Sequence, residues 1–485
     1  MSDIYSAGLG VYYWESNLTA NGDSTASQRS FGVYDSLCDY ALNGSTFLSA
    51  VTETSAKAGI VANDDVDFFM AVGTSSGNYT LNTSVTEDVE TLYSAEVNLT
   101  GLTANTRYFY RPYVRRNGTS ENYCAFHAER NFTTTRPSGT AFSWAHLTDS
   151  HWYRPFIYQP NVTGQNRYLN TTEQIRSEDF DFVIDTGDTA MTHVGCTAAS
   201  DQADTDFRYL TTRNAYAADL PFPIYMSLGN HEAEFDFGGT AGHSEQLMNW
   251  STLSRLKYWT APTNETYSYG GSSGTLNGQN LRNYYAFDYG DATFIILDTY
   301  RYNNRSGGIQ DPSQWTLGRE QFEWLNQTLA SSNKKWKFLF GHHILGGGDN
   351  SVCGYHYGDG GGNYSQTGDA QYGQIAINPL MERYNAQFYV YGHVHHFAHD
   401  WANWASYNRT NYVNYVLASS PTQDNVCADA ERVGMYDNEI CEWGYAKFDV
   451  SPNNVTLQFI NQTGEVLYSY TENNTAPSIV VNYTN

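Results

Sequence analysis

Positive charge is scarce in this chain. Its 485 residues carry 26 Lys+Arg against 51 Asp+Glu, a formal net charge of -25. Nucleic acid and anionic membrane surfaces reward Lys and Arg clusters, so neither is expected as a standing partner; the acidity fits an extracellular or high-salt setting. Long apolar runs are missing too. No stretch reaches the roughly 18 apolar residues that span a bilayer, and Met1-Ser2-Asp3-Ile4-Tyr5 has neither the basic region nor the apolar core of a signal peptide. Only six cysteines occur, none in a Cys-x-x-Cys pair, which removes the zinc-finger and thioredoxin readings. Gly346-Gly347-Gly348 and Gly360-Gly361-Gly362 precede no Gly-Lys-Ser/Thr, so neither is a phosphate-binding P-loop.

What is present is apolar mass with two different periods. Hydrophobic residues make up 40% and aromatics 15%, enough to bury real cores, and a chain of this length is expected to split into two or more domains. Residues 1–44 read as an extension carrying one strand-like piece, Gly10-Val11-Tyr12-Tyr13-Trp14. Residues 45–137 read as a β-sandwich of short alternating strands, such as 66–72, 94–99 and 107–114. Leu102-Thr103-Ala104-Asn105-Thr106-Arg107-Tyr108 resembles the tyrosine corner of fibronectin type III domains, with Ala104 where proline is usual. Over 138–472, strand and helix alternate, with helical patches at 171–178, 204–219 and 314–331; in the last, Phe322, Leu325 and Leu329 share a face. That alternation implies an α/β layer architecture. Strands at 412–418, 445–450, 455–460 and 466–471 read as the second sheet of its core, and the tail 473–485 holds one more strand-like run, Ser478 to Tyr483.

The chemistry sits at five strand exits. Phe142 to Leu147 closes on Asp149-Ser150-His151, Phe182-Val183-Ile184 on Asp185-Thr186-Gly187-Asp188, and Ile224 to Leu228 on Gly229-Asn230-His231-Glu232. Trp336 to Phe340 closes on Gly341-His342-His343, and Phe388 to Tyr391 on Gly392-His393-Val394-His395-His396. Asp149, His151, Asp188, Asn230, His342, His393 and His395 form a set of nitrogen and oxygen donors without thiolates, suited to hard or borderline divalent metals. Seven ligands with one shared carboxylate suffice for two ions about 3.5–4 Å apart, the spacing that clamps an in-line phosphoryl displacement.

The order Asp-x-His, Gly-Asp, Gly-Asn-His-Glu, Gly-His-His and Gly-His-x-His resembles the calcineurin-like metallophosphoesterase superfamily over about residues 140–460. With the fibronectin-like domain in front, the chain is similar to purple acid phosphatases. The resemblance implies an α/β fold, a four-layer α/β/β/α sandwich preceded by an all-β domain, and a hydrolase acting on a small phosphorylated substrate. It places Asp149, His151, Asp188 and His395 around a first ion and Asp188, Asn230, His342 and His393 around a second, with Asp188 bridging. His231 would protonate the leaving alkoxide or hold a phosphoryl oxygen, Asn230 would also touch the phosphate, and a metal-held hydroxide would be the nucleophile. Purple acid phosphatases carry a tyrosine three residues after the bridging aspartate, where this chain has Met191, and a non-ligand where it has His151. The two ions are therefore expected to be divalent manganese, zinc or iron. Phosphomonoester hydrolysis is the expected reaction, with a phosphodiesterase or nucleotidase as the alternative.

Other polar residues read more plainly. His146, His193, His243, His356 and His399 are expected to be structural or surface histidines, whereas His343 and His396 adjoin ligands and stay open. Asp185 and Asp298 are expected to hydrogen-bond loops, Glu232 to support its neighbours, and Tyr300, Arg301 and Arg305 to lie in a solvated loop. About nineteen Asn-x-Ser/Thr sequons occur, among them Asn17, Asn78, Asn98, Asn131, Asn264, Asn363, Asn408 and Asn461. They fit a secreted glycoprotein from which a signal has been removed, with N-linked glycans. Disulfides Cys38–Cys124, Cys196–Cys353 and Cys427–Cys441 are one pairing among those that six cysteines allow; reduced buried thiols are the alternative. The strand-like ends would permit self-assembly by strand addition, and a surface or filament-forming protein on an enzyme fold is the rival reading of another class.

Overall fold

A computed structural model of the chain describes residues 10–11, 33–34, 37–42, 44, 46–126, 129–152, 162–194, 197–234, 245–262, 269–271, 274–299, 317–342, 374–402, 413–423 and 438–474. The final strand-like run, the candidates Cys196, His243, Tyr300, Arg301, Arg305, His343, Cys353, His356 and Cys427, and the sequons at Asn17, Asn264, Asn363 and Asn408 lie outside them. Among the described residues no helix is long and apolar enough to cross a membrane. At the N-terminus, Gly10–Val11 pairs antiparallel with Val33–Tyr34.

Two antiparallel sheets follow. One runs Cys124–Ala125, Arg107–Arg116, Val66–Gly73, Leu81–Asn82, with Arg130–Thr133 and Thr86–Val89 also attached; the other runs Phe47–Ser49, Ser55–Val61, Ser94–Thr100. Alternate residues of Arg107–Arg116 are buried, so Tyr108, Tyr110 and Val114 join Phe68, Met70, Val97 and Leu99 between the sheets, as a sandwich core requires. The hydroxyl of Tyr108 accepts the Thr103 amide hydrogen at 2.9 Å, the bond that defines a tyrosine corner.

The α/β part is two more sheets face to face. The first contains β1 (Phe142–Leu147), β2 (Phe182–Asp185) and β3 (Ile224–Met226), all parallel. The second contains β4 (Ala292–Ile296), β5 (Trp336–Phe340), β6 (Phe388–Tyr391) and β7 (Val413–Leu417), again parallel. Between them lies an aromatic layer. Trp144 of β1 stacks on Phe448 at 4.1 Å and meets Phe294 and Phe338 edge-on at 5.6 Å, with Phe182, Phe287, Phe340 and Phe388 in the same cluster. Such rings bury large areas in defined offset or edge geometries, and truncating Trp144 to Ala would cost roughly 3–5 kcal/mol. Helices α1 (Val162–Ser177) and α2 (Gln202–Asp219) cover the outer face of the first sheet through Tyr168, Ile175, Tyr209 and Tyr216. Between α2 and the strands beyond it, α3 (Glu245–Tyr258) packs beside α2. The outer face of the second sheet is covered by α4 (Gly318–Ser331) and α5 (Gln374–Arg383), through Leu325, Leu329, Ile377 and Met381. The layers are α/β/β/α.

The strands after residue 412 do not form one sheet of their own. β7 enters the second sheet beside β6, whereas β8 (Gly444–Val450), Asn454–Asn461 and Val466–Asn473 continue the first sheet antiparallel from β1. Every residue of β7 is buried, as in a central strand covered on both faces. Val466–Asn473 is largely half-exposed, as at an edge.

Candidate metal centre

Because β1, β2, β3, β5 and β6 are parallel within their sheets, their C-terminal ends open into loops at a common rim, where open α/β sheets place their ligands. The loops there are tightly interlocked. The Asp149 amide donates to the Gly187 carbonyl and the His151 amide to the Asp188 carbonyl, each at 2.9 Å. Gly187 has φ +103, and a side chain there would run into the Gly229 backbone; one at Gly392 would strike Thr148. Glycine is what lets these four loops meet in pairs. Five of the seven candidate ligands adopt the left-handed region: Asp149 (φ 51), His151 (φ 46), Asp188 (φ 57), His393 (φ 77) and His395 (φ 70). Asp and His tolerate that region better than most residues, and such strain clusters at functional sites.

The ligand atoms converge. His151 Nε2 and His395 Nε2 each lie 3.4 Å from Asp149 Oδ1. Asp188 Oδ2 lies 3.1 Å from His342 Nε2 and 3.7 Å from His151 Nε2, facing both halves of the site. Asn230 Oδ1 faces His393 Nδ1 at 2.9 Å. Three groups have ligand atoms within 4.8 Å of one another: Asp149, His151 and His395; Asp188, His342 and His393; and His151, Asp188 and His231. The first two are the His and Asp members of the two predicted ligand sets, apart from the bridging Asp188 in the first. The third admits His231 as well, whose Nε2 stands 3.8 Å from Asp188 Oδ2. Carboxylate, amide oxygen and imidazole without thiolate fit hard or borderline divalent ions, and the clusters are those of a candidate binuclear metal site.

Electrostatics follow from burial. Asp149 and Asp188 are 0% and 1% exposed; burial opposes their charge, but His342 and the neighbouring imidazoles hold both carboxyls below the usual range. Burial would lower His342, yet the two carboxylates override it and push the ring up to about 9. Burial dominates at His151 and His393, lowered to about 4 and about 3. Behind the ligands, the Glu232 carboxylate accepts the amide hydrogens of Asp188, Thr189, Ala190 and Gly229 at 2.7–2.9 Å, joining the β2 loop to the β3 turn. Burial, then Asp188, raises its pKa. Asp185 accepts from Gly187, Thr189 and Tyr216, and Asp298 accepts from Asn283, so both brace loops. His231 donates from Nδ1 to the His193 carbonyl, leaving Nε2 facing the site. His146 bonds the Thr186 hydroxyl, His399 bonds Tyr468 and Asn414, and His396 faces Glu439 at 3.7 Å; none of the three reaches the centre. Met191 is buried at the position where purple acid phosphatases carry tyrosine and offers no phenolate.

One element at the rim has no counterpart among the five exits. After β7, the segment Ala418-Ser419-Ser420-Pro421-Thr422-Gln423 laces the site from behind: Ser420 and Thr422 hydroxyls donate to the Asp149 and Ser150 carbonyls at 2.7 and 2.8 Å, and the Gln423 amide lies 2.6 Å from His151 Nδ1. It contains no Asp or His, so nothing in its composition marks it as part of a metal site.

The profile of the calcineurin-like phosphoesterase family matches residues 142–397, more than half of the chain. The chain belongs to that family. This chain is 26% identical to Alkaline phosphatase D of Bacillus subtilis (strain 168) over 195 residues, 38% of this chain and 30% of that protein. It is 24% identical to Probable inactive purple acid phosphatase 24 of Arabidopsis thaliana over 257 residues, 48% of this chain and 33% of that protein. The matches therefore span about a third of each relative's length. A solved structure of PhoD superposes with TM-score 0.65 at 15% identity, covering 91% of this chain and 90% of that one. The purple acid phosphatase PPD1 of yellow lupin (Lupinus luteus) seeds superposes with TM-score 0.63 at 15% identity, covering 95% and 82%. Both share the fold.

Proposed function

We propose that this protein is a binuclear metal-dependent phosphoesterase that hydrolyses phosphomonoesters. The observation that carries the reading is the position of Asp188: its Oδ2 faces His342 on one side and His151 on the other, while the remaining donors of each set gather around that line. Asp149, His151, Asp188 and His395 would hold one ion and Asp188, Asn230, His342 and His393 the other. Bound, the pair supplies Lewis-acid polarisation of the phosphoryl group and a water activated near neutral pH. The chain's own groups do the rest. His231, fixed by its bond to the His193 carbonyl and partly exposed, delivers a proton to the leaving oxygen, a role for which imidazole is suited near neutrality. The side-chain amide of Asn230 lies at the same rim, within reach of a phosphoryl oxygen. A donor set complete in all seven positions supports a working enzyme over a surface or filament-forming protein on this fold.

The test is metal content by elemental analysis together with hydrolysis of p-nitrophenyl phosphate and bis-p-nitrophenyl phosphate. Two ions per chain and faster monoester turnover, lost in Asp188→Ala and lowered in His231→Ala, support the proposal; faster diester turnover replaces it with the phosphodiesterase reading, and no metal with no turnover ends it. The compartment is proposed to be extracellular. Asn78, Asn98 and Asn131 are exposed and available to carry glycans, and Cys124 and Cys441 each take part in a disulfide, which suits an oxidising environment. Asn461 is not among the glycan candidates, because its buried side chain accepts from Thr463 and Glu465 in a closed turn. Glycosidase treatment followed by mass measurement decides: an unchanged mass removes the glycoprotein reading.

A further inference from the structure

Imidazole can ligate through Nε2 only while its proton sits on Nδ1, so whatever faces Nδ1 selects the ligating tautomer. For His342 that partner is the Thr186 carbonyl, which accepts from Nδ1 at 2.9 Å. For His151, whose Nε2 faces Asp149 and Asp188, it is the side chain of Gln423. Its side-chain amide meets Nδ1 at 2.6 Å. Turned with Oε1 toward Nδ1, that amide accepts the Nδ1 proton and leaves Nε2 as the ligating atom.

Gln423 is itself clamped from two other elements. Its carbonyl accepts Trp443 Nε1–H at 2.7 Å and Arg167 Nη1–H at 3.0 Å, and the Arg167 guanidinium stacks 3.9 Å over the Trp443 ring. Its amide hydrogen goes to Ser420 Oγ at 3.2 Å. The same segment reaches the His395 carbonyl through the Ser419 hydroxyl and the Ser420 amide. The segment's bonds to the site end on Asp149, Ser150, His151 and His395. The group that orients His342 is the Thr186 carbonyl, on another loop.

We infer that Gln423, held by Trp443 and Arg167, is the positioning residue for His151 and tunes the affinity of the first ion alone. The inference rests on the binuclear reading above. It goes beyond that reading by making the two ion sites separately adjustable from the segment after β7.

The experiment is calorimetric titration of metal-depleted full-length protein with Zn²⁺ or Mn²⁺ against a competing chelator. Gln423→Ala is expected to weaken one of two sites about 10–100-fold and leave the other unchanged. Gln423→Glu, whose carboxylate accepts from Nδ1–H, is expected to restore it. Trp443→Phe keeps the ring, removes one donor to the Gln423 carbonyl, and is expected to weaken the same site by less; it carries the test should Gln423→Ala fold poorly. Equal weakening of both sites, or wild-type affinity at both in Gln423→Ala, overturns the assignment while leaving the centre standing. A wild type that takes up no ion overturns the centre and this assignment with it.

Discussion

The two sheets of the α/β part bring opposite chemistry to their shared rim. The first contributes Asp149, His151, Asp188 and Asn230; the second contributes only the imidazoles of His342, His393 and His395. Buried carboxylates are costly unless bonded, and the first rim meets that cost largely within itself. Asp149 Oδ2 accepts the Thr148 hydroxyl at 2.7 Å, Asp188 Oδ1 accepts the His231 amide at 2.7 Å, and Glu232 gathers four amide hydrogens beneath them. The second rim borrows its order across the interface. His342 donates to Thr186 and His393 meets Asn230, both of the first sheet. The acidic rim is the template and the histidine rim is oriented against it.

The largest expected effect breaks the template. Asp188→Ala removes the one carboxylate that faces both ion sets, so both ions and at least about a thousandfold of kcat/KM should go, the several kcal/mol that metal clamping supplies. His395→Ala, on the other rim, should lose one ion and keep the second. Elemental analysis of the two variants side by side checks the asymmetry; retention of one ion in Asp188→Ala would refute it.

Next comes the support under the template. Glu232→Ala leaves buried amide hydrogens of Asp188, Thr189, Ala190 and Gly229 without their acceptor, at about 1–3 kcal/mol for each that finds no water. A loss of about 3 kcal/mol or more in metal-free stability is expected from the denaturant midpoint. His342→Ala, also fully buried, should cost the metal-free protein less, because it removes a group that the template orients. A reversed order would mean that the histidine rim organises the site.

How much of this was legible in the sequence follows the same division. The candidate ligands that meet at the rim were readable because each follows a short apolar strand and carries a side chain that only a polar site needs. Glu232, Asp185 and Asp298 were also expected to brace loops, as they do, but the supports made by atoms every residue has were not legible: the Thr186 and His193 carbonyls, and the amides collected by Glu232. Ser420, Thr422 and Gln423 are side chains that fit any loop. Among the helices, Glu245–Tyr258 escaped because its buried side includes Ser251, Thr252, Ser254 and Arg255, so apolar periodicity fails where Arg255 is buried against Glu234 at 2.6 Å. The sheet assignment of the last strands failed because pairing partners lie hundreds of residues apart and alternation names a face, not a neighbour.

The third prediction sharpens the comparison on the acidic rim, where His231 stands within ligand distance of His151 and Asp188 and yet is proposed to move a proton. His231→Ala should lower kcat about a hundredfold, within the range for general acid catalysis, with both ions retained. Loss of an ion would instead make His231 a ligand. An activated leaving group such as p-nitrophenolate needs little protonation, so the deficit should grow with alkyl phosphates.

The smallest effect concerns a histidine of the second sheet that never meets the rim. His399, on Phe397–Ala402, is buried between Tyr468 and Asn414, and burial lowers its pKa to about 4. The unfolded chain takes up its proton near pH 6.5 and the folded one only near 4, so stability is full above 6.5, falls as pH drops through that window, and levels off below 4. By pH 5.5 the loss should be about 1.4 kcal/mol. His146, His151 and His393 shift the same way, so the measurement is the difference in denaturant midpoint between wild type and His399→Gln at pH 7.5 and 5.5. If the variant shows the full wild-type pH slope, the acid sensitivity does not come from His399.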